Sequence, residues 1–430
     1  MNNIKIGIIG FGTVGAGVVS ALLVNASIIS KRTNINFILH KVADKDITSD
    51  RGVAVGKDIL TTDVNSVIRE SDIVVELIGG TTFAKDIITR ALSAGKHVVT
   101  ANKALIAEYG SELFELAKQY KSDLYFEAAV AGGIPIIKGL REGFVGNRID
   151  KIYGILNGTC NYILTEMEQN ASEFKLALSD AQKLGYAEAD PTLDIEGIDT
   201  AHKAIILAYL AYGKMLPIES FYVEGIKEIS SIDISYAKEL GYKIKLLAII
   251  KNKDGKIDLR VHPTMIHASS IMANINGVNN GVYLEGYPVG TSLFYGQGAG
   301  RNATSSAVVA DIIDIGLNKI YNAHQRISSY ADSKIAEKQL PMADVETRYY
   351  LKMQVEDLPG TMAKITKILS GHGISISSII QKESVGCAKE LPVIIVTHKA
   401  FEKLVSNAVQ EIELLDIIKG KVKLIRIEDI

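Results

Sequence analysis

At 430 residues the chain is too long for one ordinary domain and is sized for roughly two or three. Hydrophobic residues make up 47% and charged residues 22%, with no Trp and 8 Pro, which excludes a disordered chain and leaves a globular protein with a sizeable core. A formal net charge of −2 without a long block of like charges argues against a nucleic-acid or membrane surface, so small molecules are the expected partners.

The opening Met1 to Gly10 carries one Lys and a short apolar run that leads straight into a glycine motif, unlike a secretory signal. Lys5 to Ile9 reads as a buried strand, Gly10 to Gly15 as a tight turn and Ala16 to Val24 as a helix. Phe37 to Ala43, Ile73 to Ile78, Val98 to Thr100 and Leu124 to Glu127 have strand character, and helix-like segments such as Ala84 to Ala94 and Ser111 to Lys118 separate them. This alternation predicts an α/β fold with a doubly wound parallel sheet over residues 1–146.

After Gly146 the texture changes. Gly154 to Asn161 leads into helix-like segments, and a second set of strands runs from Phe221 to Leu293, so 147–302 reads as an α+β domain. The longest apolar stretch, Ala204 to Tyr212, is about half of the ~20 residues that a membrane-spanning helix needs. Residues 303–325 read as helical, with Val308, Val309, Ile312 and Ile313 apolar, and are expected to complete the first domain. A polar linker is expected over 326–347. Beyond it, 348–430 reads as βαββαβ, a ferredoxin-like order. Cys160 and Cys387 are too few for a disulfide framework and lack metal-ligand spacing, so a reducing compartment, the cytoplasm, is expected.

Gly10-Phe11-Gly12-Thr13-Val14-Gly15 is a GxGxxG turn between a predicted strand and a predicted helix, where backbone N–H groups can hold a dinucleotide pyrophosphate. The second strand ends near Asp44, an acid suited to the ribose 2′-hydroxyl of NAD. Lys45 follows it, a cation suited to the 2′-phosphate of NADP, and Arg51 lies further on; the choice stays open.

Four further stretches resemble the homoserine dehydrogenase family: Ala101-Asn102-Lys103, Glu127 to Pro135, Asn157-Gly158-Thr159, and Ala181 to Lys203 with its run of Glu188, Asp190, Asp194 and Asp199. A late Gly298-Ala299-Gly300 turn falls in the same order. The resemblance covers residues 1 to about 325 and implies reversible reduction of L-aspartate 4-semialdehyde to L-homoserine with NADP or NAD, in threonine, methionine and isoleucine biosynthesis. It makes Lys203 the proton donor and places Lys103 at the reaction centre beside the nicotinamide. Glu188 and Asp199 are implied as ligands of the substrate's amino group, and Asp194 as the group that orients Lys203 or the reacting oxygen. Gly185 and Gly300 would border the cofactor. Glu127, with the carbonyls of Val130, Gly132 and Ile134, is implied to hold a monovalent cation, Na+ or K+. Ala131 stands where relatives often have Gly, and Cys160 where Thr is common.

The chemistry agrees with those residue types, since an aldehyde–alcohol interconversion needs a proton donor near the carbonyl oxygen and charges to hold a zwitterion. Asp199 and Lys203 are i and i+4, on one helical face. In the C-terminal segment, Val355 to Gly360 resembles the ligand turn of ACT domains, which implies L-threonine as an allosteric ligand. Ile374 to Ile380 alternates as an edge strand would, and a homodimer or homotetramer is expected. Two other readings are weaker. Aspartate-semialdehyde dehydrogenase needs a nucleophilic cysteine, and neither cysteine has a His partner in view. A catalytically silent sensor has no use for both Lys103 and Lys203.

Overall fold

Burial of Ile4, Ile6, Ile8 and Ile9 makes Asn2–Ile9 (β1) the centre of a sheet that is covered on both faces. The computed structural model describes residues 2–327, 338–382 and 390–430. Around β1 lie Ile35–Ala43 (β2), Leu60–Thr61 (β3), Ile73–Glu76 (β4), His97–Thr100 (β5) and Leu124–Tyr125 (β6), all in parallel pairs and in the order β3-β2-β1-β4-β5-β6. The order reverses between β1 and β4, and at such a switch point the carboxyl ends of the strands open a ligand crevice. Thr13–Val24 (α1), Ala26–Thr33 (α2), Val64–Glu70 (α3), Thr82–Ser93 (α4) and Lys103–Gln119 (α5) connect the strands. Helix α5 begins eight residues before the expected Ser111, because the Asn102 side chain accepts from the Leu105 N–H and caps it there.

Helix Arg301–Tyr321 packs on α1, and Val308, Ile312 and Ile315 share one core with Ile6, Val18 and Val19. Gly17 permits the approach, since a Cβ there would stand 2.3 Å from Ser305 Oγ. The chain clusters into two compact units: Met1–Gly158, Asp199–Ser220 and Val278–Glu337 form one, and Thr159–Ile198, Phe221–Gly277 and Lys338–Ile430 the other. The stretch expected as one domain, 147–302, is therefore divided. Strand Arg148–Ile155 pairs with Asn279–Tyr287, which pairs with Gly290–Gln297, and this meander belongs to the first unit. Strand pairing and helix packing group residues by contact in space, which contiguity in sequence does not reveal.

In the second unit Tyr242–Lys253 and Lys256–His267 form a long antiparallel hairpin. Lys256–His267 also pairs in parallel with the last strand, Ile418–Glu428, through Thr264↔Arg426, Met265↔Ile427 and Ile266↔Glu428. Beyond it come Glu346–Glu356, Glu390–Thr397 and Ile376–Gln381 in that order, with helices Thr361–Gly371 and Glu402–Glu413. This is the ferredoxin-like βαββαβ arrangement, with Ile376–Gln381 at the sheet edge as expected. Of the expected linker, 328–337 lies outside the described residues. Its C-terminal part is structured, since Lys338–Gln339 pairs with Lys256 and Ile257, and the strand begins at Glu346. Among the described residues no single helix is long and apolar enough to cross a membrane.

Candidate active site

The glycine turn has the backbone that a pyrophosphate requires. Gly10 sits at φ +105°, and a Cβ there would lie 2.5 Å from Leu77 O; a Cβ on Gly15 would lie 2.0 Å from Gly10 O. At Gly12 a Cβ would meet nothing within 4 Å, so the turn opens there, at the N-terminus of α1, where no side chain caps the first N–H groups. Phe11, Thr13 and Val14 complete the turn. Asp44 Oδ2 accepts from the Phe11 N–H at 2.5 Å and Oδ1 from the Asp46 N–H at 2.9 Å, so the acid at the end of β2 braces the turn itself. Lys45 is exposed, while Arg51 is paired with Asp46 at 3.0 Å. Gly300, at φ +106°, precedes helix Arg301–Tyr321 and lines an open groove of about 850 Å³ with Gly17, Ser20, Gln297 and Arg301.

Lys103 and Lys203 converge on one carboxylate, Asp199. Helix Ile198–Tyr212 sets Asp199 and Lys203 one turn apart, and Lys203 Nζ donates to Asp199 Oδ2 at 2.7 Å and to Leu156 O at 2.6 Å. Lys103, the first residue of α5, lies with its Nζ 3.1 Å from Asp199 Oδ1. Asn157 Nδ2 donates to Asp199 Oδ2 at 2.9 Å. Burial alone would raise the Asp199 carboxyl; the two ammoniums outweigh it and hold it well below the usual carboxylate range. Both oxygens are engaged, so Asp199 is the counter-ion between two lysines. Lys203 is 8% exposed, whereas the Lys103 side chain is 41% exposed, which leaves Lys103 the more open ammonium.

The other expected site residues of the Ala181 to Lys203 stretch belong to the second unit. Gly185 is at φ +75° at the end of helix Phe174–Lys183, and Glu188 is exposed, its backbone carbonyl accepting from Gln182 Nε2 at 3.1 Å. Asp194 lies in the short helix Thr192–Ile195, and its carbonyl accepts from Cys160 Sγ at 3.1 Å. Cys160 is thus a buried, hydrogen-bonded packing residue, and Cys387 lies outside the described residues. Sequence reasoning missed Asn157 as a partner of Asp199, although it had picked out Asn157-Gly158-Thr159 as a motif. It also missed Gly225, where a Cβ would stand 1.9 Å from Ile195 O and crowd the Asp190 to Gly197 loop.

Around Glu127 the carboxylate is already bound. Oε1 accepts from the Ile137 N–H at 2.9 Å and Oε2 from the Lys138 N–H at 2.7 Å, and burial pushes the carboxyl up to about 7. The following loop places Ala131 at φ +55° and Gly132 at φ +47°, with the Ile134 carbonyl accepting from Ile136. Asn280 is buried nearby, against Gly298, and among the described residues neither its Oδ1 nor its Nδ2 has a hydrogen-bond partner.

Family profiles match three stretches: the NAD-binding domain of homoserine dehydrogenase over 10–127, homoserine dehydrogenase over 135–313, and the ACT domain over 349–413. The homoserine dehydrogenase of Pseudomonas aeruginosa is 43% identical over 435 residues, covering 100% of both chains. The chain belongs to the homoserine dehydrogenase family. These are NAD(P)-dependent oxidoreductases, and the match to their NAD-binding domain begins at Gly10, in the glycine turn described above. A crystal structure of a homoserine dehydrogenase from Thiobacillus denitrificans matches with 44% identity and a TM-score of 0.94, over 100% of this chain and 99% of that one. A hyperthermophilic archaeal homoserine dehydrogenase in complex with NADPH matches with 28% identity and a TM-score of 0.62, over 74% of this chain and 98% of that one.

Proposed function

We propose that the chain reduces L-aspartate 4-semialdehyde reversibly to L-homoserine, with Lys203 as proton donor and acceptor. The supporting observation is the Lys103–Asp199–Lys203 cluster. An ammonium has three N–H donors; Leu156 O and Asp199 Oδ2 take two from Lys203 and leave one for a substrate carbonyl oxygen. Lys103 supplies a second positive charge, and together they stabilise the oxyanion that develops as hydride arrives. The nicotinamide supplies that hydride when bound. Asp199 holds both ammoniums in place through its two carboxylate oxygens.

Purified protein mixed with homoserine and either NADP or NAD should produce reduced nicotinamide in a homoserine-dependent way, and the relative rates decide the cofactor. The absence of turnover in both directions would sink the reading. The NADPH complex of the archaeal relative supports a nicotinamide dinucleotide without deciding between the two.

Three finer assignments belong to the same reading. A monovalent cation is assigned to the carbonyls of Val130, Gly132 and Ile134; since the Glu127 carboxylate is engaged by N–H groups, it would act there as a nearby negative charge. Exchange of Na+ or K+ for a bulky organic cation should lower turnover. L-threonine is assigned to the turn before helix Thr361–Gly371, where Asp357 is exposed and Gly360 caps the helix at φ +91° with no side-chain bond. Calorimetric titration with threonine tests it. A homodimer or homotetramer is assigned from the open edge of Ile376–Gln381, where Ile379 is 44% exposed; light scattering decides the number.

A further inference from the structure

Glu76, the last residue of β4, is fully buried, and the hydrogen bonds to its carboxylate come from neutral donors. Oε1 accepts from the Ile78 N–H at 2.7 Å, and Oε2 accepts from the Thr100 hydroxyl at 2.6 Å. Thr100 Oγ1 in turn accepts from the Asn102 N–H at 3.0 Å. Asn102 Nδ2 reaches back to Gly80 O at 2.7 Å, while its Oδ1 accepts from the Leu105 N–H at 3.1 Å and starts α5. The loop after β4 and the loop after β5 are therefore closed into one ring through a single buried carboxylate, at the strand ends where the crevice opens. The residue delivered by that ring is Lys103.

A charge buried away from any counter-ion is costly, and burial pushes the Glu76 carboxyl up to about 7. An apolar or amide side chain would serve packing at less cost. We propose that Glu76 is a positioning residue for the reaction: by fixing Thr100 and the Ala101–Asn102 turn, it sets where the Lys103 ammonium stands relative to Asp199 Oδ1. The inference rests on the assignment of Lys103 to the reaction centre.

The isosteric variant Glu76→Gln can still accept from one donor, but its amide NH2 turns towards the Thr100 hydroxyl and leaves that O–H without an acceptor. Turnover should fall by about tenfold to a hundredfold, the scale of a small misplacement of a reacting group, while NADPH affinity followed by its fluorescence stays unchanged. The deciding measurement is a double-mutant cycle with Lys103→Met. If Glu76 acts through Lys103, Glu76→Gln lowers kcat in the wild-type background and causes no further loss in the Lys103→Met background. Equal losses in both backgrounds, or no loss in either, overturn the inference and leave Lys103 standing. Full turnover by Lys103→Met alone overturns the assignment of Lys103 and the inference with it. Should Glu76→Gln fail to fold, Thr100→Val and Thr100→Ser carry the same cycle: the first removes the linking hydroxyl and should behave as Glu76→Gln, and the second restores it.

Discussion

Lys203 and Asp199 stand one helical turn apart and meet at 2.7 Å inside the protein, with Asp199 only 6% exposed. On a solvated helix such a pair contributes about 0.3–0.5 kcal/mol. Here neither group can be removed singly without leaving the other desolvated. Lys203→Met should lower kcat by about a hundredfold or more, the usual range for loss of a general acid, with cofactor affinity retained. Near-normal turnover in steady-state assays would show that the proton comes from elsewhere.

Asp199→Asn should be worse for stability than Lys203→Met, because it leaves the buried Lys203 ammonium without its anion, a loss of about 3–5 kcal/mol. The Asp199 carboxyl lies below its unfolded value, so its contribution is present above about pH 4 and is lost only as the pH falls through the lower folded value. In acid titrations followed by circular dichroism, the wild type should therefore hold its fold to lower pH than Asp199→Asn.

Glu76 titrates with the opposite sign. Its folded value of about 7 lies above the unfolded value near 4.5, so folding favours the protonated form; that stabilisation is complete below about pH 4.5 and is lost as pH rises through 7. The shift corresponds to about 3 kcal/mol. The unfolding free energy of wild type relative to Glu76→Gln should fall by about that amount between pH 4.5 and pH 8 in urea titrations, and a flat difference would contradict the buried charge.

Ala131 and Gly132 offer a backbone test. Both have positive φ, but a Cβ at Gly132 would also stand 2.6 Å from Gly298 O. Ala131→Gly should leave the melting temperature unchanged or raise it, relieving about 1 kcal/mol of left-handed strain. Gly132→Ala should lower it clearly.

Arg260 is the largest fully buried side chain, bound to Asp258 at 2.9 Å and to Glu428 at 2.5 Å. Arg260→Met removes the cation that Asp258 and Glu428 share, leaving Glu428 with Lys251 at 2.6 Å, and should destabilise the second unit by about 3–5 kcal/mol, whereas neutralising Asp258 together with Arg260 should recover part of it. Differential scanning calorimetry of the single and double variants measures the difference.

Much of this molecule is local in origin. The Gly10 to Gly15 turn was legible because its glycine spacing sits between a strand-like and a helix-like run, and the βαββαβ order of the C-terminal segment follows from period and turn signals alone. The pairing of Asp199 with Lys203 follows from helical spacing. What the sequence could not reveal is long-range: that Lys103, 96 positions before Asp199, closes on the carboxylate oxygen that Lys203 leaves; that Asn157 donates to the oxygen that Lys203 holds; and that Glu76 joins two loops. The same holds for the division of 147–302 between two units and for the strand pairing of Lys338–Gln339 inside an expected linker. Composition and spacing decide which elements form and which residue types are available. Only chain closure in three dimensions decides which charges are desolvated together, and that sets the chemistry of the Lys103–Asp199–Lys203 cluster.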